Sequence, residues 1–250
     1  MTALGSESEW CGQGLPILVA TPVTEMWKSA NHAFSLCPLL TGGAIDALVL
    51  TGSDKLKATY LEKMVTGKWT GTMNLTEPGA GSDLAAVCTR AEPQADGSYK
   101  LFGQKIFITY GEHDMAENII HLVLARTPTA PEGIKGISLF IVPKFLVNED
   151  GTLGARNDAW CASIEHKMGI HASPTAVMAF GDRGGAVGYL VGEENHGLEY
   201  MFIMMNVARF GVGMEGVAVC ERAYQRARDY ARERIQGNEV GVRGGSKVPI

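Results

Sequence analysis

Two glycine-rich stretches and one pair of histidines carry residue types that could bind a ligand. Residues 75 to 86, LTEPGAGSDLAA, follow the strand-like run WTGTMN and gather Pro78, Gly79 and Gly81 in one loop. The free backbone N–H groups of such a loop, with the hydroxyls of Thr76 and Ser82, suit phosphate oxygens or a heteroaromatic carbonyl, although the same composition also makes an ordinary surface turn. Residues 211 to 216, GVGMEG, have the spacing G-x-G-x-x-G of dinucleotide-binding turns. That fingerprint needs a strand before it and a second strand, closed by an acidic residue, after it. Here both flanks repeat with helical spacing and run on as a charged helix to Gln236, so Gly211, Gly213 and Gly216 read as close-packing positions on a helix. Each costs about 1 kcal/mol there relative to alanine. His166 and His171 in EHKMGIH are five residues apart and separated by Gly169, so they do not share a helical face as a metal-binding pair would.

The elements that must position these residues fall into three textures. Residues 1–68 mix Gly/Pro breaks with helical spacing, clearest at Leu56, Tyr60, Leu61 and Met64, which predict a helix with Ser53 as N-cap and Gly67 near its end. Residues 69–191 change period: WTGTMNLT, YKLFGQKIFIT, NIIHLVLART, GISLFIVP and TAVMAFGD are strand-like and separated by turn signals, which predicts an antiparallel barrel or sandwich. Residues 192–250 return to helical spacing through Leu198, Met201, Phe202, Met205, Ala208 and Val212, as two helices or one long one. The terminal Val248-Pro249-Ile250 reads as part of a connection. Helices flanking a run of strands imply an α+β fold rather than alternating βαβ units.

Composition narrows the function classes. The chain has 250 residues, 46% hydrophobic and 20% charged, which suits a globular protein with a sizeable core. Its formal net charge of −5 supplies no global field for nucleic acid or anionic lipid. Uninterrupted apolar runs such as Ile17 to Ala20 fall short of the roughly 20 residues of a membrane span, and no secretory signal is visible, so a cytoplasmic protein is expected. Cys11, Cys37, Cys88, Cys161 and Cys220 contain no CxxC pair and read as reduced thiols, most of them small buried groups.

Taken in order, TEPGAGSD, GQKIFIT at 103–109, KMGI at 167–170, YLVGEENHGL at 189–198 and ARERIQG at 231–237 resemble the acyl-CoA dehydrogenase family in spacing and sequence. The resemblance covers nearly the whole chain. CGQGLP, MMNVARF and YARERIQG look closest to the branch that includes 3-methylmercaptopropionyl-CoA dehydrogenases. It implies FAD as cofactor and a central antiparallel β-barrel domain at 69–191, between the end of one helical domain at 1–68 and the start of another at 192–250. Met73, Leu75 and Thr76 match the segment that meets the flavin pyrimidine edge. Ser82 matches a residue near the flavin and CoA phosphates. Phe107, Ile108 and Thr109 match the segment packed on the flavin, where a tryptophan is common at the position of Phe107. Arg234 and Gln236 match a site that reaches the FAD pyrophosphate of a neighbouring subunit, and Asn206 and Arg209 match positions lining the acyl-CoA cleft.

The family's reaction removes a proton beside the thioester carbonyl and passes hydride from the next carbon to the flavin, so it requires a carboxylate base. Most relatives carry that glutamate far along the C-terminal helical domain, and a minority carry it just before the arginine matching Arg209, where this chain has Ala208. Glu77 and Asp83 read as residues that fix the loop. The expected base therefore lies beyond Ile250 and the chain reads as a middle fragment, with Leu198, Met201, Phe202, Met204 and Met205 short of packing partners. The resemblance implies an acyl-CoA substrate, an electron-transfer flavoprotein as electron acceptor and a homodimer or homotetramer. An acyl-CoA oxidase and a non-catalytic, DNA-binding flavoprotein are the alternative readings on the same scaffold.

Overall fold

The computed structural model describes residues 2–241, 243–245 and 247–249. Three helices come first: α1 (Ile17–Ala30), α2 (His32–Thr51) and α3 (Asp54–Val65). As the spacing predicts, the Ser53 side chain caps α3 by accepting from Leu56 N, and the buried face carries Leu56, Tyr60, Leu61, Met64 and Val65. Pro22 and Pro38, which read as breaks in sequence, lie inside α1 and α2.

The strands follow: β1 (Trp69–Asn74), β2 (Arg90–Pro93), β3 (Tyr99–Thr109), β4 (Asn118–Ala125), β5 (Ser138–Pro143), β6 (Phe145–Val147), β7 (Leu153–Arg156), β8 (Ala159–Ile164), β9 (Thr175–Phe180) and β10 (Ala186–Val191). The main sheet runs β1-β4-β5-β10-β3-β9-β8, with β2 on β3. The antiparallel expectation holds for every pair in it but one. β1 and β4 are parallel, from Trp69 opposite Asn118 to Asn74 opposite Val123. A parallel pair needs a long crossover, and the connection here contains the TEPGAGSD loop and the β2–β3 hairpin.

β4 is buried along its whole length, which is why NIIHLVLA reads as a continuous apolar run rather than an alternating one. Ile120, Leu122 and Leu124 join a core shared with the helices, where Leu48, Leu61 and Met64 are sealed from water. Val123 and Ala125 join a second core with Leu101, Phe140, Met178 and Phe180. Each fully buried side chain of this size contributes about 1.5–3 kcal/mol. α2 approaches β1 so closely that a Cβ on Gly71 would stand 2.7 Å from that of Ala44, and Thr41 Oγ1 accepts from Gly71 N at 3.0 Å.

A single helix, α4 (Gly197–Glu233), then packs on α2 and α1. Met201 and Met204 are fully buried, and a Cβ on Gly43 of α2 would lie 2.9 Å from Met204 Cγ, so the expected shortage of partners does not apply to them. Phe202 remains exposed. Within GVGMEG the close-packing reading holds for Gly211 alone, where a Cβ would meet Leu39 Cδ1 at 2.3 Å; Gly213 and Gly216 have nothing within 4 Å. The end of the chain is not a bare connection, because β11 (Ile235–Asn238) pairs with β12 (Lys247–Pro249); Ile250 lies outside the described residues.

Two further expectations change. Only Cys37 is buried, while Cys11, Cys88 and Cys220 are exposed and Cys161 is intermediate. By length and hydropathy, α2 and α4 are each long and apolar enough to cross a membrane, which a search for uninterrupted apolar runs does not reveal; half of the α2 stretch is buried inside the fold.

Candidate functional site

The sheet brings the TEPGAGSD loop against the middle of β3. Ile106 N donates to Thr76 O at 2.8 Å, which seats Thr76 beside the 105–109 segment. β3 slips register against β9 between Lys105 and Ile108, and Phe107 there adopts φ +61. A left-handed backbone is unfavourable for a bulky side chain, at about 1–2 kcal/mol. Its consequence is a ring turned out of the sheet and 59% exposed, between buried Lys105 and Ile108. Among the described residues, the hydroxyls of Thr76, Ser82 and Thr109 make no side-chain hydrogen bond and are not sealed from solvent.

A buried polar cluster fixes this surface from behind. Lys105 Nζ, wholly removed from water, donates to Leu75 O at 2.9 Å and to Glu77 Oε1 at 2.8 Å. Glu77 also accepts from Cys88 N at 2.7 Å, Thr89 N at 3.0 Å and Thr89 Oγ1 at 2.5 Å. Burial alone would raise the Glu77 carboxyl, but Lys105, Thr89 and the Cys88 N–H together outweigh it and hold it below the usual range. Asp83 caps the following turn by accepting from Ala85 N at 2.9 Å. Both acids of the loop therefore serve its shape, as their place in the loop suggests. Arg126 closes the far side by donating to Ala85 O at 2.7 Å and Val87 O at 2.8 Å.

Across the β1–β4 pair, Asn74 Nδ2 donates to Thr72 Oγ1 at 2.8 Å, and Thr72 Oγ1 lies 2.7 Å from His121 Nδ1. Burial pushes His121 down to about 3, so the ring is neutral. The turn after β3 is held as well: Glu112 binds Lys144 and, at 2.8 Å, Arg156 Nη2.

The family model for the acyl-CoA dehydrogenase middle domain matches residues 72–182, which takes in the loop, the Phe107 bulge and both clusters behind them. The 3-methylmercaptopropionyl-CoA dehydrogenase of Ruegeria pomeroyi is 59% identical over 248 residues, covering 99% of this chain and 42% of that relative. Residues 72–182 are an acyl-CoA dehydrogenase middle domain. Among solved structures, butyryl-CoA dehydrogenase of Megasphaera elsdenii superposes with a TM-score of 0.78 at 27% identity, over 95% of this chain and 59% of that one. A structure reported for the electron transferring flavoprotein of Acidaminococcus fermentans gives a TM-score of 0.80 at 28% identity, over 94% of this chain and 58% of the other. The chain thus spans less than two thirds of the length of these relatives.

Within this family frame the site residues separate into three groups. Thr76 is bonded to Ile106, next in the chain to Phe107, Ile108 and Thr109; Met73 and Leu75 precede it at the end of β1 and Ser82 follows it in the same loop. Asn206 and Arg209 sit on the first half of α4, exposed, with Arg209 Nη1 donating to Asn206 Oδ1 at 3.2 Å. Arg234 and Gln236 lie past the other end of α4, exposed and bonded to each other at 3.0 Å. A helix of 37 residues extends about 55 Å, so α4 separates Arg234 widely from its own starting turn.

Residue types alone pass over two groups. Lys105 has the strand parity of buried Leu101, and an inward lysine signals a required partner. Glu215, inside GVGMEG, falls on the buried stripe of Met204, Gly211 and Ala218; it pairs with Lys28 of α1 at 2.6 Å and His32 of α2 at 2.9 Å.

Proposed function

We propose that this chain provides the flavin-binding part of an FAD-dependent dehydrogenase of acyl-CoA thioesters, with a β domain at 69–191 between helical regions at 1–68 and 192–250. The observation that carries the reading is the seating of Thr76 beside the Phe107 bulge, which puts unpaired hydroxyls and an outward aromatic ring next to each other. That combination suits a flat heteroaromatic ring with a polar edge.

In this reading, backbone groups of Met73, Leu75 and Thr76 take the pyrimidine edge, while Phe107 and Ile108 pack on the ring. Thr109 lies close to its reactive nitrogen, and Ser82 serves the flavin and CoA phosphates. Arg234 and Gln236 serve the pyrophosphate in a neighbouring subunit, which agrees with their exposure beyond α4; the guanidinium fork suits phosphate oxygens. Asn206 and Arg209 line the acyl-CoA cleft. FAD, when bound, supplies the acceptor for the hydride leaving the substrate. The chain's own part is to orient the ring and to exclude water from its face. No residue of this chain is assigned as the base: Ala208 holds one family position for it, and Glu215 of α4 is committed to Lys28 and His32.

The reading extends to a homodimer or homotetramer, to an electron-transfer flavoprotein as acceptor and to a cytoplasmic setting without nucleic acid or membrane partners. The net charge of −5 supports the absence of a nucleic-acid role. The test is anaerobic addition of acyl-CoA thioesters to the longest natural polypeptide carrying this sequence. Bleaching of a bound flavin, followed by reoxidation by electron-transfer flavoprotein faster than by oxygen, is expected. Reoxidation chiefly by oxygen would make it an oxidase, and a protein without flavin would end the proposal.

A further inference from the structure

The ammonium of Lys105 acts on one particular peptide group. Leu75 O, which accepts from Lys105 Nζ at 2.9 Å, belongs to the same planar amide as Thr76 N–H. A cation on the carbonyl end of an amide draws electron density through the resonance of the group and makes the N–H end a stronger donor. The next carbonyl, Thr76 O, is also taken, by Ile106 N at 2.8 Å. Two successive carbonyls of the loop are therefore turned toward β3.

The arrangement is expensive for the fold alone. Lys105 is fully buried, and a buried ion pair can often be replaced by apolar side chains at little cost in stability. Glu77 keeps the cation in place and is itself held by Cys88 N, Thr89 N and Thr89 Oγ1. Burial lowers the Lys105 ammonium to about 8 against the pull of Glu77, so it is mostly charged at neutral pH.

We propose that Lys105, held by Glu77, is a positioning residue that fixes and polarises the Leu75–Thr76 peptide, so that Thr76 N–H meets the flavin pyrimidine edge as a strengthened donor and favours the reduced ring. This rests on the flavin reading given above and assigns a function to a pair that otherwise only holds the loop.

The test compares the FAD-loaded parent with Lys105→Met/Glu77→Leu, which removes both charges together, and with Lys105→Arg, which keeps the cation. Thermal melting and circular dichroism establish folding; FAD titration of the apo-protein and the flavin midpoint potential are the readouts. The double variant is expected to fold, to bind FAD more weakly, and to favour reduced over oxidised flavin about tenfold less than the parent, a fall of about 30 mV for a two-electron couple. Lys105→Arg is expected to restore most of that potential. A double variant that keeps the parent's potential would overturn the proposal and leave the flavin reading standing. Should the double variant fail to fold, Thr89→Val, which frees one hydrogen bond of Glu77 and leaves Lys105 present, takes its place: a smaller fall in potential supports the proposal and an unchanged potential refutes it. A parent that takes up no FAD would instead refute the flavin reading on which the inference depends.

Discussion

Lys28 of α1 and Glu215 of α4 are joined by a 2.6 Å ion pair whose side chains are almost completely removed from water. His32, at the start of α2, takes the other carboxylate oxygen at 2.9 Å, so one acid ties three helices together. Removing one partner strands a buried charge, whereas removing both does not. Glu215→Ala is expected to lower stability by about 3–5 kcal/mol in chemical denaturation, and Lys28→Met/Glu215→Leu by much less. Equal losses in the two variants would mean that packing, not charge, explains the contact.

The glycines of GVGMEG give opposite forecasts. A methyl at Gly213 meets nothing within 4 Å, so Gly213→Ala should gain about 1 kcal/mol from helix propensity. At Gly211 it would press on Leu39 Cδ1 at 2.3 Å, and Gly211→Ala should lose about 1–3 kcal/mol to overpacking. Melting curves that move the same way in both variants would contradict the helix packing.

Phe107 should separate stability from binding. At φ +61, glycine relieves about 1 kcal/mol of backbone strain, and the exposed ring contributes little packing. Phe107→Gly is thus expected to melt no lower than the parent yet to bind FAD more weakly. A variant that keeps full affinity would remove Phe107 from the flavin face.

The acid limb of the stability curve should carry the signature of His121. Burial holds its folded-state value at about 3, below its ordinary 6.5, so the unfolded chain gains a proton that the folded chain refuses. Its contribution is complete above about pH 6.5 and is lost as pH falls toward about 3, with a slope of at most about 1.4 kcal/mol per pH unit. His121→Asn, which has no titrating group, should flatten that part of the curve even if it lowers stability throughout. An unchanged slope would mean that His121 takes up its proton in the folded state.

Local patterns made much of the fold legible. Ser53 and the apolar spacing of 56–64 marked α3, and the strand-like runs marked β1, β3, β4, β5 and β9. The parallel pairing of β1 with β4 was not legible, because strand direction depends on a crossover that periodicity does not record. Short, half-exposed strands such as β7 and β8 are too brief for a sustained alternation and leave no clear strand signal in the sequence. At the site, the loop was recognisable from Pro78, Gly79 and Gly81, but its anchoring was not: Lys105 is separated from Leu75 by 30 positions, and only the fold brings its ammonium to that carbonyl. Glu215 was masked by the glycine spacing around it, although its place on a buried stripe was the available clue.

The central claim is that these residues form a flavin site, and titration of the apo-protein with FAD tests it most directly. Thr109→Ala should weaken binding a few-fold, the worth of one neutral hydrogen bond, and Arg234→Ala should weaken it by about ten- to a hundredfold, the worth of a charge-assisted one. If both variants bind FAD as tightly as the parent, the site has been assigned to the wrong residues.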